Sequence, residues 1–248
     1  MLNTKNTPKS VNKSSKSLLA KCMATEDIRV EHSGSAETAS LAKFYFDNDS
    51  QFRVSAFTVD DSFVDKDCYE GLPLIPFSEI RKKFPADKYP IHVALSYSKL
   101  NRLRQKKYEQ VKKAGYQLVS YISSKSAVWP DIVYGDNCFI LENQTIQPTV
   151  RIGNNVILWS GNHVGHGSII GDHTYISSHV VISGNCTIGK RCFFGVNSTV
   201  RDFIQIADDC FISMDASVTR HLNHGSVVLS ESSKVLNSDS KVAERIKS

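Results

Sequence analysis

The chain has 248 residues, of which 41% are apolar, and its formal net charge is +5. This length holds one large folded domain or two smaller ones, and the apolar content excludes a chain that is disordered throughout. The apolar piece Leu18–Ala20 is far too short for a signal peptide or a membrane span. We therefore expect a cytoplasmic protein with no membrane partner.

Residues 1–26 form a segment in which lysines stand among Ser, Asn and Thr. Such a segment has little apolar area to bury, which predicts a disordered basic tail. The alternative is an arm that binds nucleic acid. No aromatic residues interleave the lysines to stack on bases, so we expect no nucleic-acid partner.

Residues 27–119 alternate between strand-like and helix-like segments. The stretch "DIRVEHSGSAETASLAKFYF" predicts a short strand, a Ser/Gly turn and an apolar-striped helix. Two further strands are predicted in "FRVSAFTVDD" and "IHVALSYS". A second helix is predicted in "KLNRLRQKKYEQVKKAG", where Gly115 gives the stop signal. Strands that alternate with helices predict a small parallel α/β sheet.

Ligands of such sheets bind beyond the carboxyl ends of the strands. This rule places Ser33–Ser35, Asp60–Asp61 and Ser96–Asn101 along one edge. A dinucleotide-type glycine fingerprint is imperfect here, because His32 stands where a first glycine is expected and Gly34 alone remains. From these residues alone, a nucleotide site and a plain structural turn both stay open.

Residues 120–222 contain an apolar residue at every sixth position, without a slip. Neither a helix, with a period of 3.6, nor an ordinary strand, with a period of 2, explains strict sixes. The positions are Ile122, Val128, Tyr134, Ile140, Ile146, Ile152, Leu158, Val164, Ile170, Ile176, Ile182, Ile188, Phe194, Val200, Ile206, Ile212 and Val218. Four residues after most of them stands a small or β-branched residue, and this phase includes four of the six cysteines, whose role we expect to be packing.

A triangular coil satisfies this pattern. Each hexad makes one short strand and a turn, and three hexads close a coil of eighteen residues whose interior holds the apolar side chains. Successive coils stack as parallel strands about 4.8 Å apart. The prediction is a parallel β-helix, so each residue lies over the one eighteen positions away.

The motifs "IGNNVI", "IIGDHTYI", "TIGKRCFFGVNSTV" and "QIADDCFI" resemble the hexapeptide repeats of left-handed parallel β-helix acyltransferases. With the half-Rossmann domain in front, the chain resembles the nucleotide-sugar acetyltransferases that include bacillosamine-pathway N-acetyltransferases and the sialic-acid O-acetyltransferase group. The resemblance covers Ile28–Thr219. It implies an α/β domain at 27–119 that holds a UDP- or dTDP-linked sugar, a left-handed β-helix at 120–222 and a C-terminal tail at 223–248, in which a short helix is the alternative to fraying.

The resemblance also assigns residues to ligands. In the front domain, Gly34 and Ser35 would face phosphates, while Asp60 and Asp61 would meet the ribose or the base. Acetyl-CoA, as co-substrate, would lie in a groove between two helices of a homotrimer. The residues that match its contacts are Tyr175, Gly184 and Gly195, with Lys190 as a partner for phosphate.

Four of the eight histidines lie in the stretch Ser160–Val180. We expect His163 and His173 to be packed or solvated, and His179, over Gly161, to be a candidate for ligand contact. His166 has Gly165 and Gly167 beside it in the chain and Gly184 one coil later. It also matches the catalytic histidine of the family.

The chemistry that the resemblance implies is acetyl transfer with His166 as general base. An imidazole can take the proton of a sugar amine that attacks the thioester, and exposed backbone N–H groups can hold the oxyanion. Many relatives have a carboxylate directly after this histidine, whereas Gly167 stands here. The residue that orients His166 is therefore open at this point.

The expected function is N-acetylation of a nucleotide-linked amino sugar for surface glycan or lipopolysaccharide biosynthesis, without a metal. Three alternatives stay open: O-acetylation of a sugar, a non-catalytic sugar-binding scaffold, and a zinc-dependent β-helix enzyme. The last is disfavoured because the histidine spacing does not match and such enzymes have no α/β front domain.

Overall fold

The computed structural model describes residues 21–26 and 35–233 of the chain. The α/β part contains five strands, three α-helices and two short 3₁₀ turns at Asp61–Phe63 and Phe77–Glu79. The strands are β1 (Lys21–Glu26), β2 (Arg53–Val59), β3 (Cys68–Tyr69), β4 (Leu72–Pro76) and β5 (Ile91–Val93). The helices are α1 (Ser35–Asp49), α2 (Ile80–Lys83) and α3 (Arg102–Lys113).

The sheet has the order β3-β4-β2-β1-β5, and all pairs are parallel except β3 with β4. The predicted parallel α/β sheet is confirmed, as are the strands at β2 and β5. Strand β1 corrects the predicted tail: residues 21–26, assigned there to a disordered segment, form the strand between β2 and β5. The strand predicted from Asp27 lies outside the described residues.

The rest of the described chain is a β-helix of two-residue strands, with one strand at each predicted apolar position. The strands are β6 (Tyr121–Ile122), β7 (Ala127–Val128), β8 (Val133–Tyr134), β9 (Phe139–Ile140), β10 (Thr145–Ile146), β11 (Arg151–Ile152), β12 (Ile157–Leu158), β13 (His163–Val164), β14 (Ile169–Ile170), β15 (Tyr175–Ile176), β16 (Val181–Ile182), β17 (Thr187–Ile188), β18 (Phe193–Phe194), β19 (Thr199–Val200), β20 (Gln205–Ile206), β21 (Phe211–Ile212), β22 (Ser217–Val218) and β23 (Val227–Val228).

Three parallel sheets form the faces of the prism, and we name them by position. The front face holds β6, β9, β12, β15, β18, β21 and β23, the second face β7, β10, β13, β16, β19 and β22, and the third face β8, β11, β14, β17 and β20. Ile157 pairs with Tyr175, and Tyr175 with Phe193, so the predicted eighteen-residue step is confirmed.

The interior of the prism holds the apolar side chains, as predicted. Ile140, Leu158, Ile176, Phe194 and Ile212 are fully buried in one continuous core. The second phase fills the corners, where Cys138, Cys186, Cys192 and Cys210 are also buried. Burial raises the pKa of the Cys138 thiol to about 11 and that of Cys192 to about 12, which removes them as nucleophiles.

The last coil departs from the repeat. Ile206 bridges to Leu222 and Phe211 pairs with Val227, so this coil is two residues shorter than the others. The predicted end of the β-helix at residue 222 is therefore too early, because β23 completes the front face within the segment assigned to the C-terminal tail. The helix proposed for the last residues lies outside the described part of the chain.

The α/β domain covers the front face. A second apolar cluster joins Phe46 of α1 to Tyr121, Phe139, Ile157 and Tyr175 of that face. Apolar burial of this kind stabilises the contact by roughly 25 cal/mol for each Å² of apolar surface removed from water. Neither α1 nor α3, nor any other helix within residues 35–233, is long and apolar enough to cross a membrane.

Three corners join the faces. The open corner, between the second and third faces, consists of residues 147–150, 165–168, 183–186 and 201–204. The covered corner, between the third and front faces, consists of residues 135–138, 153–156, 171–174, 189–192 and 207–210. The third corner, between the front and second faces, consists of residues 141–144, 159–162, 177–180 and 195–198.

Candidate active site

His166 lies on the open corner, and its side chain is exposed. Its ring lies against Gly184 of the next coil: a Cβ atom at Gly184 would be 2.8 Å from Cε1 and 3.0 Å from Nε2 of the ring. A Cβ at Gly165 would be 2.5 Å from the nitrogen of Gly184. Glycines at these two positions therefore let one coil pass close to the next and leave room for the imidazole.

Gln147, one coil before His166, holds both the backbone and the ring of this residue. Its Oε1 accepts the backbone N–H of His166 at 2.9 Å and lies 3.1 Å from Nδ1 of the ring. This side chain is the partner that the sequence analysis left open. The eighteen-residue step would have placed Gln147 under Gly165, next to His166, so the pattern contained the signal.

The backbone N–H groups around the ring differ in their partners. The N–H of Gly167 points to the Thr149 hydroxyl at 3.1 Å, and the N–H of Asn185 donates to the His166 carbonyl at 2.8 Å. Within residues 35–233, the N–H of Gly184 has no hydrogen-bond acceptor. The open corner therefore combines an exposed imidazole with a nearby backbone N–H that has no acceptor within these residues.

His173 lies on the covered corner and is buried, as predicted for a packed residue. Its ring meets the Tyr108 ring edge to face, with the centroids 5.3 Å apart, and Nδ1 lies 2.9 Å from the Asn155 amide nitrogen. Burial, together with the nearby charge of Arg104, lowers the pKa of His173 to about 4. The ring is therefore neutral at neutral pH and has no access to a substrate.

Arg104 of α3 fixes this corner to the α/β domain. Its guanidinium is fully buried and donates to the carbonyls of His173 at 2.6 Å and Ser96 at 3.1 Å and to Oδ1 of Asn101 at 3.0 Å. Burial lowers the pKa of Arg104 to about 9. Sequence reasoning missed this residue because it stands among the exposed cations of α3.

The other two histidines lie away from His166. His163 is half-buried on the second face, where β13 pairs with β10 and β16. His179 is exposed on the third corner, and a Cβ at Gly161 would be 2.6 Å from its ring, as the predicted stacking of these two residues requires. Its role in ligand contact stays a prediction.

The residues predicted to bind coenzyme A do not converge within one chain. Gly184 adjoins His166 on the open corner. Tyr175 lies on the front face under the α/β domain, where burial raises its pKa. Lys190, on the covered corner, has its Nζ 3.2 Å from Oδ2 of Asp172. Gly195 lies on the third corner, where a Cβ would be 2.3 Å from the nitrogen of Met214.

The predicted nucleotide residues are only partly described. Gly34 lies outside the described residues, and Ser35 is the first residue of α1. Asp60 forms an ion pair with Lys107 of α3. Asp61 accepts the backbone N–H of Ser78 at 3.1 Å, and the hydrogen bonds from Ser78 lower the pKa of the Asp61 carboxyl. Both carboxylates thus have partners within the protein.

Metal chemistry has no candidate ligand set in the described ranges, 21–26 and 35–233. No group of three or more His, Cys, Asp or Glu side chains there is placed to hold a metal ion.

Comparisons with known proteins agree with this architecture. The profile of the bacterial transferase hexapeptide family (six repeats) matches residues 149–184, which include His166 and Gly184. A comparison with the curated proteins finds no match.

Among solved structures, three similar ones match most of this chain and nearly all of their own. The perosamine N-acetyltransferase from Caulobacter crescentus, solved as a His-to-Asn variant with CoA and GDP-perosamine, has 18% identity and a TM-score of 0.69 over 87% of this chain and 99% of that one. WeeI from Acinetobacter baumannii has 20% identity and a TM-score of 0.69 over 85% of this chain and 97% of that one.

The acetyltransferase domain of PglB from Neisseria gonorrhoeae, solved with acetyl coenzyme A, has 18% identity and a TM-score of 0.66 over 84% of this chain and 94% of that domain. The predicted fold is confirmed: the chain consists of an α/β domain followed by a left-handed parallel β-helix of hexapeptide repeats.

Proposed function

We propose that this protein transfers the acetyl group of acetyl-CoA to the amine of a nucleotide-linked sugar, with His166 as general base. One observation carries the proposal: the open corner pairs an exposed imidazole, oriented by Gln147, with the N–H of Gly184, which has no acceptor in the described part of the chain. Acetyl transfer by direct attack needs these two groups, a proton acceptor and an oxyanion donor.

The reaction uses each group once. The amine nitrogen attacks the thioester carbonyl carbon, and the carbonyl oxygen gains the negative charge that the Gly184 N–H receives. Nε2 of His166 takes a proton from the nitrogen. Collapse of the intermediate breaks the carbon–sulfur bond, and the CoA sulfur leaves and takes up the proton. No enzyme nucleophile takes part, in agreement with the burial of the corner cysteines.

The substrate class is supported by the similar structures. The Caulobacter protein was solved with CoA and GDP-perosamine, and the Neisseria domain with acetyl coenzyme A. For this chain we propose a nucleotide-linked amino sugar made for surface glycans or lipopolysaccharide, with GDP added to UDP and dTDP as a candidate nucleotide. Gly34, Ser35, Asp60 and Asp61 stay the proposed nucleotide contacts, and Asp60 would have to exchange its partner Lys107 for the ligand.

We propose that the site is shared between subunits. The α/β domain covers the front face, whereas His166 lies on the opposite corner of the triangular prism, so a sugar held by this domain cannot reach the His166 of the same chain. We propose a homotrimer in which each front domain faces the open corner of a neighbour. Coenzyme A would lie in the groove between subunits, with Gly184 beside it. Lys190 and Gly195 stay proposed contacts, whereas Tyr175 is buried under the α/β domain of its own chain and is not open to such a groove.

Light scattering at micromolar concentration tests the assembly. A stable trimer is the expected result, and a monomer that turns over would contradict it.

We also place the protein in the cytoplasm, since Cys68, Cys138, Cys186, Cys192 and Cys210 are all free thiols.

A substrate panel tests the activity itself. Purified protein is incubated with acetyl-CoA and UDP-, dTDP- or GDP-linked amino sugars, and the release of the CoA thiol is followed. The matched controls are the corresponding sugars with a hydroxyl in place of the amine. We expect thiol release with at least one amino sugar and none with its hydroxyl control. Release with hydroxyl sugars alone would indicate O-acetylation, and binding of nucleotide sugars without any release would indicate a scaffold.

A further inference from the structure

We propose that Gln147 is a positioning residue that holds the His166 imidazole in the tautomer whose Nε2 accepts a proton. This inference rests on the proposed function, because it assigns a role within the same site. It also indicates which substrate receives the acetyl group: a neutral hydrogen-bond partner for His166 suits an amine rather than a hydroxyl group.

The tautomer follows from one shared acceptor. The side-chain atom of Gln147 that lies 3.1 Å from Nδ1 of His166 also receives the backbone N–H of His166 at 2.9 Å. A backbone N–H can only donate, so this atom must be the amide oxygen and not the amide nitrogen. An oxygen that only accepts requires a proton on Nδ1. In a neutral imidazole, Nε2 then carries the free lone pair.

The backbone holds Gln147 in place for this role. Its N–H donates to the Val164 carbonyl at 3.0 Å, and its side chain is half-buried. Pro148 follows it and restricts the conformations open to Gln147. The amide therefore approaches His166 from the preceding coil, whereas the carboxylate of relatives would occupy the position of Gly167.

The charge of the group that hydrogen-bonds to His166 affects which substrate can receive the acetyl group. Within residues 35–233 the ring hydrogen-bonds to this neutral amide, and no Asp or Glu forms an ion pair with it. A neutral partner fixes the ring but adds no charge that stabilises an imidazolium. A neutral amine can attack the thioester with its own lone pair and lose its proton afterwards, whereas a hydroxyl must lose its proton as it attacks. The weaker base therefore suffices for an amine.

Two variants with side chains of nearly equal size separate the effect of the hydrogen-bond acceptor at Gln147 from the effect of its packing. Gln147→Met removes the acceptor and keeps the side-chain length, and Gln147→Glu keeps an acceptor and adds charge. In ¹H–¹⁵N spectra that report the protonation of each ring nitrogen, we expect the parent protein to show His166 with the proton on Nδ1. The Met variant should show a mixture of tautomers, and the Glu variant should retain the proton on Nδ1.

Kinetics give a second readout. For Gln147→Met we expect kcat to fall about 10- to 100-fold, a part of the 10²–10⁴-fold typical of a general base, with little change in KM for acetyl-CoA. In a His166→Asn background the same change should have no further effect, because it acts through the ring. For Gln147→Glu we expect the acid limb of the rate–pH profile to move up by about one pH unit.

The outcomes distinguish this proposal from the proposed function. An unchanged tautomer in Gln147→Met, or a loss of kcat that persists in the His166→Asn background, would overturn the role of Gln147 and leave the function standing. Full activity of His166→Asn would overturn the function itself, while the spectra would still report the tautomer.

Discussion

Two corners of the same β-helix carry histidines only seven residues apart, and the structure treats them in opposite ways. On the open corner, His166 is exposed, lies against Gly184 and contacts the neutral Gln147. On the covered corner, His173 is buried between Tyr108 and the guanidinium of Arg104. The repeat is the same at both places, so the difference comes from what packs on the outside.

The covered corner has a strained backbone, and its residues also help to hold the two domains together. Asn137, Asn155, His173, Arg191 and Asp209 all have positive φ, from 53° to 64°, which costs energy for residues other than glycine. Their side chains recover part of this cost as a ladder along the corner: Asn137 donates to Asn155 at 2.8 Å, and Arg191 donates to Asp209 at 2.8 Å. A corner that is filled in this way stabilises the fold, whereas the open corner leaves the side chain of His166 exposed.

We expect the largest loss of stability from Arg104→Met, which removes the contact between α3 and the covered corner. Without the guanidinium, the carbonyls of His173 and Ser96 and the side chain of Asn101 lose a buried donor. We expect a loss of roughly 3–5 kcal/mol in the free energy of unfolding, measured by urea denaturation. The control is Arg102→Met on the same helix, an exposed residue paired with Asp209, which should cost about 1 kcal/mol or less. Equal losses in the two variants would contradict the role of Arg104 in fixing the covered corner to the α/β domain.

Acid should weaken the fold next, through two buried histidines: His173 of the covered corner and His92 of β5. Burial lowers the pKa of His92 and of His173 to about 4, below the value near 6.5 of an unfolded histidine. The unfolded chain therefore binds more protons, so stability is complete above pH 6.5 and falls as the pH drops towards 4. The loss is about 3 kcal/mol for a fully buried ring such as His92.

His173→Asn sharpens this prediction, because asparagine already occupies the same position in two preceding coils, at Asn137 and Asn155. We expect this variant to unfold near the parental urea midpoint at pH 7.5 and to lose less stability than the parent between pH 6.5 and 4.5. A parental pH dependence in the variant would show that His173 does not carry this effect.

The smallest effect is expected at the junction of α1 with the β-helix. Asp49 accepts the Tyr121 hydroxyl at 2.7 Å and the Ser124 N–H at 2.9 Å, and the hydrogen bonds from Ser124 and Tyr121 lower its pKa to about 2. We expect Asp49→Asn to cost about 1–2 kcal/mol at neutral pH, by thermal or urea unfolding.

The pH dependence of this contribution has the same sign as that of the histidines but lies at lower pH. A depressed carboxyl pKa stabilises the fold above pH 4, and the contribution is lost as the pH falls from 4 through 2. The exposed Glu109→Gln should change the unfolding free energy by less than about 0.5 kcal/mol. A loss for Asp49→Asn no larger than for this control would remove Asp49 from the junction.

The sequence alone predicted the β-helix strand by strand, because the interior admits one apolar residue for every six and the pattern does not slip. It failed where that rule ends: the last coil is shortened between Val218 and Leu222, and β1 lies in a lysine-bearing segment with little apolar periodicity. His166 was predicted from its glycines and its family position. Arg104 could not be, because the His173 carbonyl that it reaches is 69 residues away, on a corner known only once the domains are packed.

The central claim is that chemistry occurs at the open corner and not at the covered one. The most direct measurement compares His166→Asn with His173→Asn, by thiol release from acetyl-CoA with the best amino sugar of the panel, after both variants are shown to be folded. We predict that His166→Asn loses about 10²–10⁴-fold in kcat, while His173→Asn stays within several-fold of the parent. Near-parental turnover of His166→Asn, or an equal loss in His173→Asn, would contradict the account.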